Sequence, residues 1–124
     1  MAQHNDFGRE AESLAKTWLE EHGYEICDEN WRHGKDEIDL VVYRECVLVF
    51  VEVKARSRTD FGLPDDAVDL RKQKLLARAA DAYVYAVDYK GEIRFDIISV
   101  LQLPGTAPQI RHHIDAFWPG HRQN

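Results

Sequence analysis

Long apolar runs are missing from this sequence of 124 residues. No stretch approaches the roughly 20 consecutive apolar residues that a membrane-spanning helix needs, so we expect a soluble protein without a membrane segment. The first 24 residues also lack the apolar core of a secretory signal, which predicts that the chain stays in the cytoplasm.

Cysteine and linker sequences are scarce as well. Cys27 and Cys46 are the only two cysteines, and they form neither a Cys-x-x-Cys motif nor a disulfide framework, so reduced thiols are predicted. Internal repeats, low-complexity tracts and Gly/Ser linkers are missing, and the length is enough for one hydrophobic core. We therefore expect residues 1–124 to form a single domain.

Positive charge is in the minority, with 16 Lys and Arg against 22 Asp and Glu and a net charge of -6. This balance argues against non-specific adhesion to nucleic acid. The cations that are present are nevertheless concentrated in one part of the chain, which is compatible with a local basic surface. They are Lys54, Arg56, Arg58, Arg71, Lys72, Lys74 and Arg78.

Hydrophobic periodicity predicts a mixed sheet flanked by helices. The predicted elements are a helix over 9–22, strands over 24–27, 37–43 and 47–54, a helix entered at 64–66, and strands over 93–101 and 109–114. A polar loop is expected over 28–35, and the second helix has no clear end within 83–89. The strands over 37–43 and 47–54 are separated by three residues, so they should pair as an antiparallel hairpin, with the second one central in the sheet.

Three charged residues on this hairpin form the pattern Asp…Glu-x-Lys. Asp39 lies within an apolar strand, and Glu52 and Lys54 lie at the end of the next one and share a face, since side chains alternate along a strand. Converging carboxylates suit a hard cation such as Mg²⁺, and a nearby lysine can orient a water and offset phosphate charge. These are the parts of a phosphodiester hydrolase. The alternative is a simple ion pair between Glu52 and Lys54 at a strand end.

Seven segments, taken together and in order, resemble the YraN family of bacterial proteins. They are GREAESLA (8–15), GYEICDENWR (23–32), DEIDLVVY (36–43), VLVFVEVKAR (47–56), DAVDLRKQKLL (66–76), RFDIISV (94–100) and IRHHIDAF (110–117). That family is regarded as predicted endonucleases similar in fold to archaeal Holliday junction resolvases. The resemblance implies an α/β, restriction-endonuclease-like core whose mixed sheet carries a metal site at one edge of the central hairpin.

Carried onto this sequence, the resemblance implies that Asp39 and Glu52 are metal ligands and that Lys54 is the catalytic lysine. Glu12 matches the glutamate of the family's N-terminal helix, which completes the metal site in the resolvases; its alternative is an ordinary solvated glutamate. Glu37 lies two residues before Asp39, so its side chain is expected on the same face of the strand, and it is an auxiliary candidate for the site. One departure is visible, because the family commonly has glycine where this chain has Asp36.

The leading hypothesis is therefore a Mg²⁺- or Mn²⁺-dependent endonuclease that acts on DNA, including branched DNA, and that forms a symmetric homodimer like resolvases of similar fold. Cations beyond the catalytic strand would contact phosphates and so select DNA by shape rather than by sequence. These predicted DNA contacts are Arg56, Arg58, Arg71, Lys72, Lys74 and Arg78. Their alternative is a solvated helix face. Two other functions stay open: a non-catalytic DNA-binding or DNA-processing module, and an acidic domain that binds a basic protein partner.

Overall fold

A computed structural model describes residues 2–57 and 68–118, with side chains described from residue 7 onward. Within these ranges the chain forms two helices and five strands, in the order predicted. The elements are α1 (Ala2–Glu21), β1 (Glu25–His33), β2 (Asp36–Arg44), β3 (Val47–Arg56), α2 (Leu70–Val87), β4 (Glu92–Leu101) and β5 (Gln109–His113). Neither described helix is long and apolar enough to span a membrane.

The strands form one mixed sheet in the order β1-β2-β3-β4-β5. Only β3 and β4 are parallel neighbours, and the other three pairs are antiparallel. The central hairpin is confirmed: β2 and β3 join through Glu45 and Cys46, which both have positive φ (51° and 69°). Such left-handed pairs match the twist of a tight hairpin. The third strand is central, as its apolar sequence predicted.

Each face of the sheet is covered by one helix. On one face, Ala11, Ala15 and Leu19 of α1 pack in a cluster with β3 valines such as Val49 and Val51. On the other face, α2 packs against a second cluster that contains Phe50 of β3. Alternate β3 residues thus feed two separate core layers, as expected for a strand buried on both sides. The mixed α/β prediction is confirmed, and the architecture is consistent with a restriction-endonuclease-like core.

The first strand is longer than the sequence predicted. Residues 28–33, expected to be a polar loop, continue β1 and pair with β2 as far as His33↔Asp36. The expectation was wrong because this edge strand has no fully buried residue, so hydrophobic alternation is weak there. Trp31 is an exception, since it packs against the α2-side cluster.

The second helix begins later than predicted. Its entry was expected at 64–66, residues that lie outside the described ranges, whereas the structure starts α2 at Leu70 with Asp69 as N-cap. The Asp69 side chain accepts a hydrogen bond from the backbone N–H of Lys72 at 2.8 Å. Aspartate at this position satisfies an N–H group that has no partner within the helix. The helix then continues through the ambiguous segment to Val87 and ends at Asp88, which is left-handed (φ 55°).

Candidate active site

The site forms where β2 and β3 stop pairing. Their antiparallel register runs from Arg44↔Val47 to Leu40↔Val51 and goes no further. Beyond that point the backbone N–H of Val53 donates to Asp39 Oδ2 at 2.8 Å. A side-chain carboxylate therefore replaces the strand-to-strand bond, which fixes Asp39 next to the β3 residues that follow Val51.

Glu52 lies beside this bond and is largely buried, with 16% of its side chain exposed. Burial raises the pKa of Glu52 to about 7, and the nearby Asp39 carboxylate acts in the same direction. The charges of Lys72 and Lys54 oppose this rise without cancelling it. Near neutral pH this carboxyl group is thus poised between its two protonation states.

Asp39 is perturbed in the same way. Burial raises its pKa, the hydrogen bond from Val53 N–H counteracts the rise, and the carboxylate of Glu37 adds to it. On α1, burial and then the charge of Asp39 raise the pKa of Glu12, while a side-chain hydrogen bond from Asn30 lowers it. Asp39 thus lies within electrostatic reach of Glu12, Glu37 and Glu52, and we call these four groups the carboxylate cluster. Like charges at this proximity favour a cation between them.

The alternation that placed Glu37 on the side of Asp39 is interrupted in this part of β2. Ile38 packs with the α2-side cluster, whereas Leu40, two residues on, packs with the α1-side cluster. Glu37 nonetheless raises the pKa of both Asp39 and Glu12, so it lies within electrostatic reach of them. Its own carboxylate faces Arg32 at 3.7 Å.

The donor set fits a hard divalent cation in its chemistry. Carboxylate oxygens are the ligands that Mg²⁺ and Mn²⁺ prefer, and Asp39 retains lone pairs after accepting from Val53. Across the described residues, no three His, Cys, Asp or Glu side chains already stand in an arrangement that could hold a metal ion. Ligation by Asp39, Glu52 and Glu12 would therefore need side-chain rotation.

Two lysines accompany the carboxylates. Lys54 follows Glu52 by two residues on β3, and its charge lowers the pKa of Glu52. Lys72 comes from the first turn of α2, and its Nζ lies 3.7 Å from Glu52 Oε2. The sequence placed Lys72 among the DNA contacts without linking it to Glu52, because an entry at 64–66 would put it in a later helical turn. Recognising Asp69 as the N-cap would have placed Lys72 in the first turn of α2, but not its contact with Glu52, which depends on how α2 lies over the sheet.

Other predicted DNA contacts are spread around the same end of the molecule. Arg71 and Lys74 are exposed on α2, and Arg56 is half-buried at the end of β3. Arg58 lies outside the described residues. Together with Lys72, Arg71 and Lys74 make up what we call the basic end of α2.

Arg78 has a structural partner that the sequence did not indicate. Its guanidinium donates two hydrogen bonds to Asp36, at 2.7 and 2.9 Å. This bidentate pair joins α2 to the first residue of β2 and holds the pKa of Asp36 below its usual range. Asp36 is the residue that departs from the YraN pattern. The departure adds an ion pair between α2 and β2, and it removes no predicted ligand.

Fold and site together define the class of protein: an α/β chain with a restriction-endonuclease-like core and carboxylates at the open end of its central hairpin. Comparison with known proteins identifies the family. The model of "Uncharacterised protein family UPF0102" matches residues 11–100. That range contains the predicted site residues Glu12, Glu37, Asp39, Glu52 and Lys54.

Relatives match over nearly the full length. A UPF0102 protein of Bacteroides thetaiotaomicron is 48% identical over 119 residues, which cover 96% of this chain and 98% of the relative. One from Flavobacterium psychrophilum is 45% identical over 95% of this chain and 98% of its own length. Another, from Porphyromonas gingivalis, is 42% identical over 94% and 87%. The chain belongs to the UPF0102 (YraN) family, which confirms the resemblance found in its motifs.

Proposed function

We propose that this protein is a Mg²⁺- or Mn²⁺-dependent endonuclease that hydrolyses phosphodiester bonds in DNA, including branched DNA. The observation that carries the proposal is the meeting of Asp39 and Glu52 where β2 and β3 separate, with Lys54 on the same strand. Burying two carboxylates side by side destabilises a fold unless something positive binds them. A cation and a phosphate substrate provide a functional reason for that arrangement.

In this proposal Asp39, Glu52 and Glu12 hold the cation, and Glu37 assists from the edge of the site. Such a cation would supply Lewis-acid chemistry, by polarising a phosphodiester and making a water a stronger nucleophile. Lys54 orients that water and offsets the charge that develops on the phosphate. The hydrogen bond from Val53 N–H keeps Asp39 in one orientation, so that the ligand position is set before substrate arrives.

The basic end of α2 supplies contacts to the DNA backbone. Arg71 and Lys74 are exposed, and Lys72 lies against Glu52, so the cationic surface adjoins the carboxylate cluster. Phosphate contacts position a duplex without reading its bases, which suits selection by DNA shape. A symmetric dimer would offer two such sites to a two-fold substrate such as a four-way junction.

A cleavage assay with matched variants tests the proposal. We would compare wild type, Asp39→Asn and Lys54→Met on four-way junction, flap, single-stranded and linear duplex DNA, with Mg²⁺, Mn²⁺ or EDTA. The amide oxygen introduced by Asp39→Asn can still accept from Val53 N–H, so the fold is retained while cleavage is lost; Lys54→Met should lower the rate by about 10²–10⁴. Asp81→Asn, an exposed change on α2, is the control and should cleave like wild type.

A non-catalytic DNA-binding module is the second candidate. It is favoured by the basic end of α2 together with the lack, in the described residues, of a ready-made three-ligand group. Such a module would bind junction DNA in a salt-dependent manner and leave every substrate intact in either metal. Equal cleavage by wild type and Asp39→Asn would contradict the endonuclease assignment itself.

A further inference from the structure

The ion pair between Lys72 and Glu52 joins the basic end of α2 to the carboxylate cluster. Its Nζ–Oε2 distance of 3.7 Å is that of a charge contact rather than a hydrogen bond. The lysine side chain is 46% exposed, whereas that of Glu52 is 16% exposed. One partner is thus fixed in the sheet, and the other is a flexible chain at the surface that can leave without breaking a hydrogen bond.

The position of Lys72 in its helix is otherwise unfavourable. The N-terminus of a helix carries partial positive charge, which destabilises nearby cations and stabilises anions. The first turn of α2 nevertheless has no acidic residue and contains Arg71 and Lys72. The N-cap Asp69 offsets part of this cost, and the carboxylates of the sheet offset more of it for Lys72, whose charge acts on Asp39 as well as on Glu52.

Lys72 and a divalent cation would therefore bind the same oxygens. Lys72 is the cation of α2 that reaches both predicted ligands from β2 and β3, while Lys54 reaches Glu52 from its own strand. Two cations held at one carboxylate repel each other, so binding of the second weakens binding of the first.

We propose that the ammonium group of Lys72 is an exchangeable counter-ion of Glu52, which a divalent cation displaces when it binds the carboxylate cluster. This inference rests on the metal-dependent function proposed above. Once displaced, the lysine is released at the edge of the site, next to Arg71, where it can contact a DNA phosphate. Cation binding would thereby convert an internal charge into a phosphate contact.

Metal binding measured on the full chain without DNA tests the exchange. We would titrate wild type, Lys72→Met and Lys90→Met with Mn²⁺ by calorimetry, and use far-UV circular dichroism to confirm folding. Methionine keeps an unbranched apolar side chain and removes the charge. Lys72→Met should bind Mn²⁺ at least about fivefold more tightly, because breaking one unit-charge pair near 4 Å costs this factor even in bulk water, and more beside the largely buried Glu52. Lys90→Met makes the same charge change at an exposed site beyond the other end of α2 and should differ from wild type by less than about twofold.

The outcomes separate this inference from the proposed function. If wild type and Lys72→Met bind Mn²⁺ equally, or if Lys90→Met shows the same gain, Lys72 is not the displaced counter-ion, although the metal site stands. Asp39→Asn identifies the site, since it should weaken binding in either background. If no variant binds Mn²⁺ and none cleaves DNA, both the exchange and the metal-dependent function are wrong.

Discussion

Glu52 is a carboxyl group buried beside a second carboxyl group. Both features disfavour its ionised form, and the lysines near it compensate only part of that cost. Its pKa of about 7 expresses the balance, since burial and Asp39 raise it more than Lys72 and Lys54 lower it. A raised pKa in the folded state means that the protonated form is the one folding favours. Deprotonation of Glu52 should therefore destabilise the protein.

The stability of the metal-free protein should depend on pH through this group. The contribution of Glu52 is fully present below about pH 4.5, its unperturbed value, and is lost as the pH rises through about 7. Glu52→Gln removes this loss, so above pH 7 the variant should exceed wild type in free energy of unfolding by up to about 3 kcal/mol. Urea unfolding in EDTA at pH 5, 6, 7 and 8 measures the difference. Glu92→Gln changes an exposed residue at the start of β4, and its free energy of unfolding should vary with pH as in wild type. If the free energy of unfolding of Glu52→Gln also varied with pH as in wild type, the raised pKa of Glu52 would be disproved.

At the scale of elements, a buried aspartate fastens the edge strand β5 to the sheet. Asp96 of β4 is fully buried and accepts two hydrogen bonds from Arg94, at 2.8 and 2.7 Å. It also contacts His112 Nε2 of β5 at 2.7 Å and accepts from the backbone N–H of Asp115 at 2.9 Å. Burial alone raises the pKa of Asp96, but these bonds outweigh it and keep the pKa below its usual range.

Removal of this charge should loosen β5. Asp96→Asn leaves Arg94, whose side chain is 21% exposed, without its anionic partner, and it deprives His112 of an acceptor. Breaking one side of a buried pair destabilises proteins by about 3–5 kcal/mol, and we expect a loss of that size. Guanidinium unfolding, with the exposed Asp81→Asn as the matched control, gives the value. A loss below about 1 kcal/mol would mean that Asp96 is dispensable for holding β5.

Whether an element could be predicted from the sequence depends on whether its residues show a hydrophobic pattern. The central hairpin was predictable because β2 and β3 are continuous apolar runs, and Asp39 and Glu52 stood out as charges within them. The end of β1 was not predictable, since none of its residues is fully buried and its mostly polar sequence shows no hydrophobic pattern. The pair of Lys72 with Glu52 was also hidden, because it depends on how α2 lies over the sheet, which no local pattern specifies.

At the scale of the whole molecule, an acidic chain presents cations at one end of one helix. The net charge of -6 repels DNA in general, so the proposed DNA binding would have to be concentrated where Arg71, Lys72 and Lys74 adjoin the site. Arg78 adds less, since Asp36 already neutralises it. Lys90, beyond the opposite end of α2, pairs with Asp88 at 3.3 Å. The basic end of α2 is therefore the region to test for DNA binding, and Lys90, beyond the other end of the helix, is the internal control.

The salt dependence of DNA binding should report this asymmetry. Each phosphate neutralised by a lysine or arginine contributes about 0.9 to the slope of log affinity against log salt. Arg71→Ala and Lys74→Ala should each reduce the magnitude of the slope for junction DNA by about 0.9, and the double variant by roughly twice that. Lys90→Ala changes the net charge equally but should leave the slope as in wild type. Fluorescence anisotropy from about 50 to about 300 mM salt, in EDTA to prevent cleavage, would measure all of these proteins. Equal slopes for the Lys74 and Lys90 variants would show that DNA is not bound at the basic end of α2, because only local phosphate contacts, and not total charge, distinguish these two substitutions.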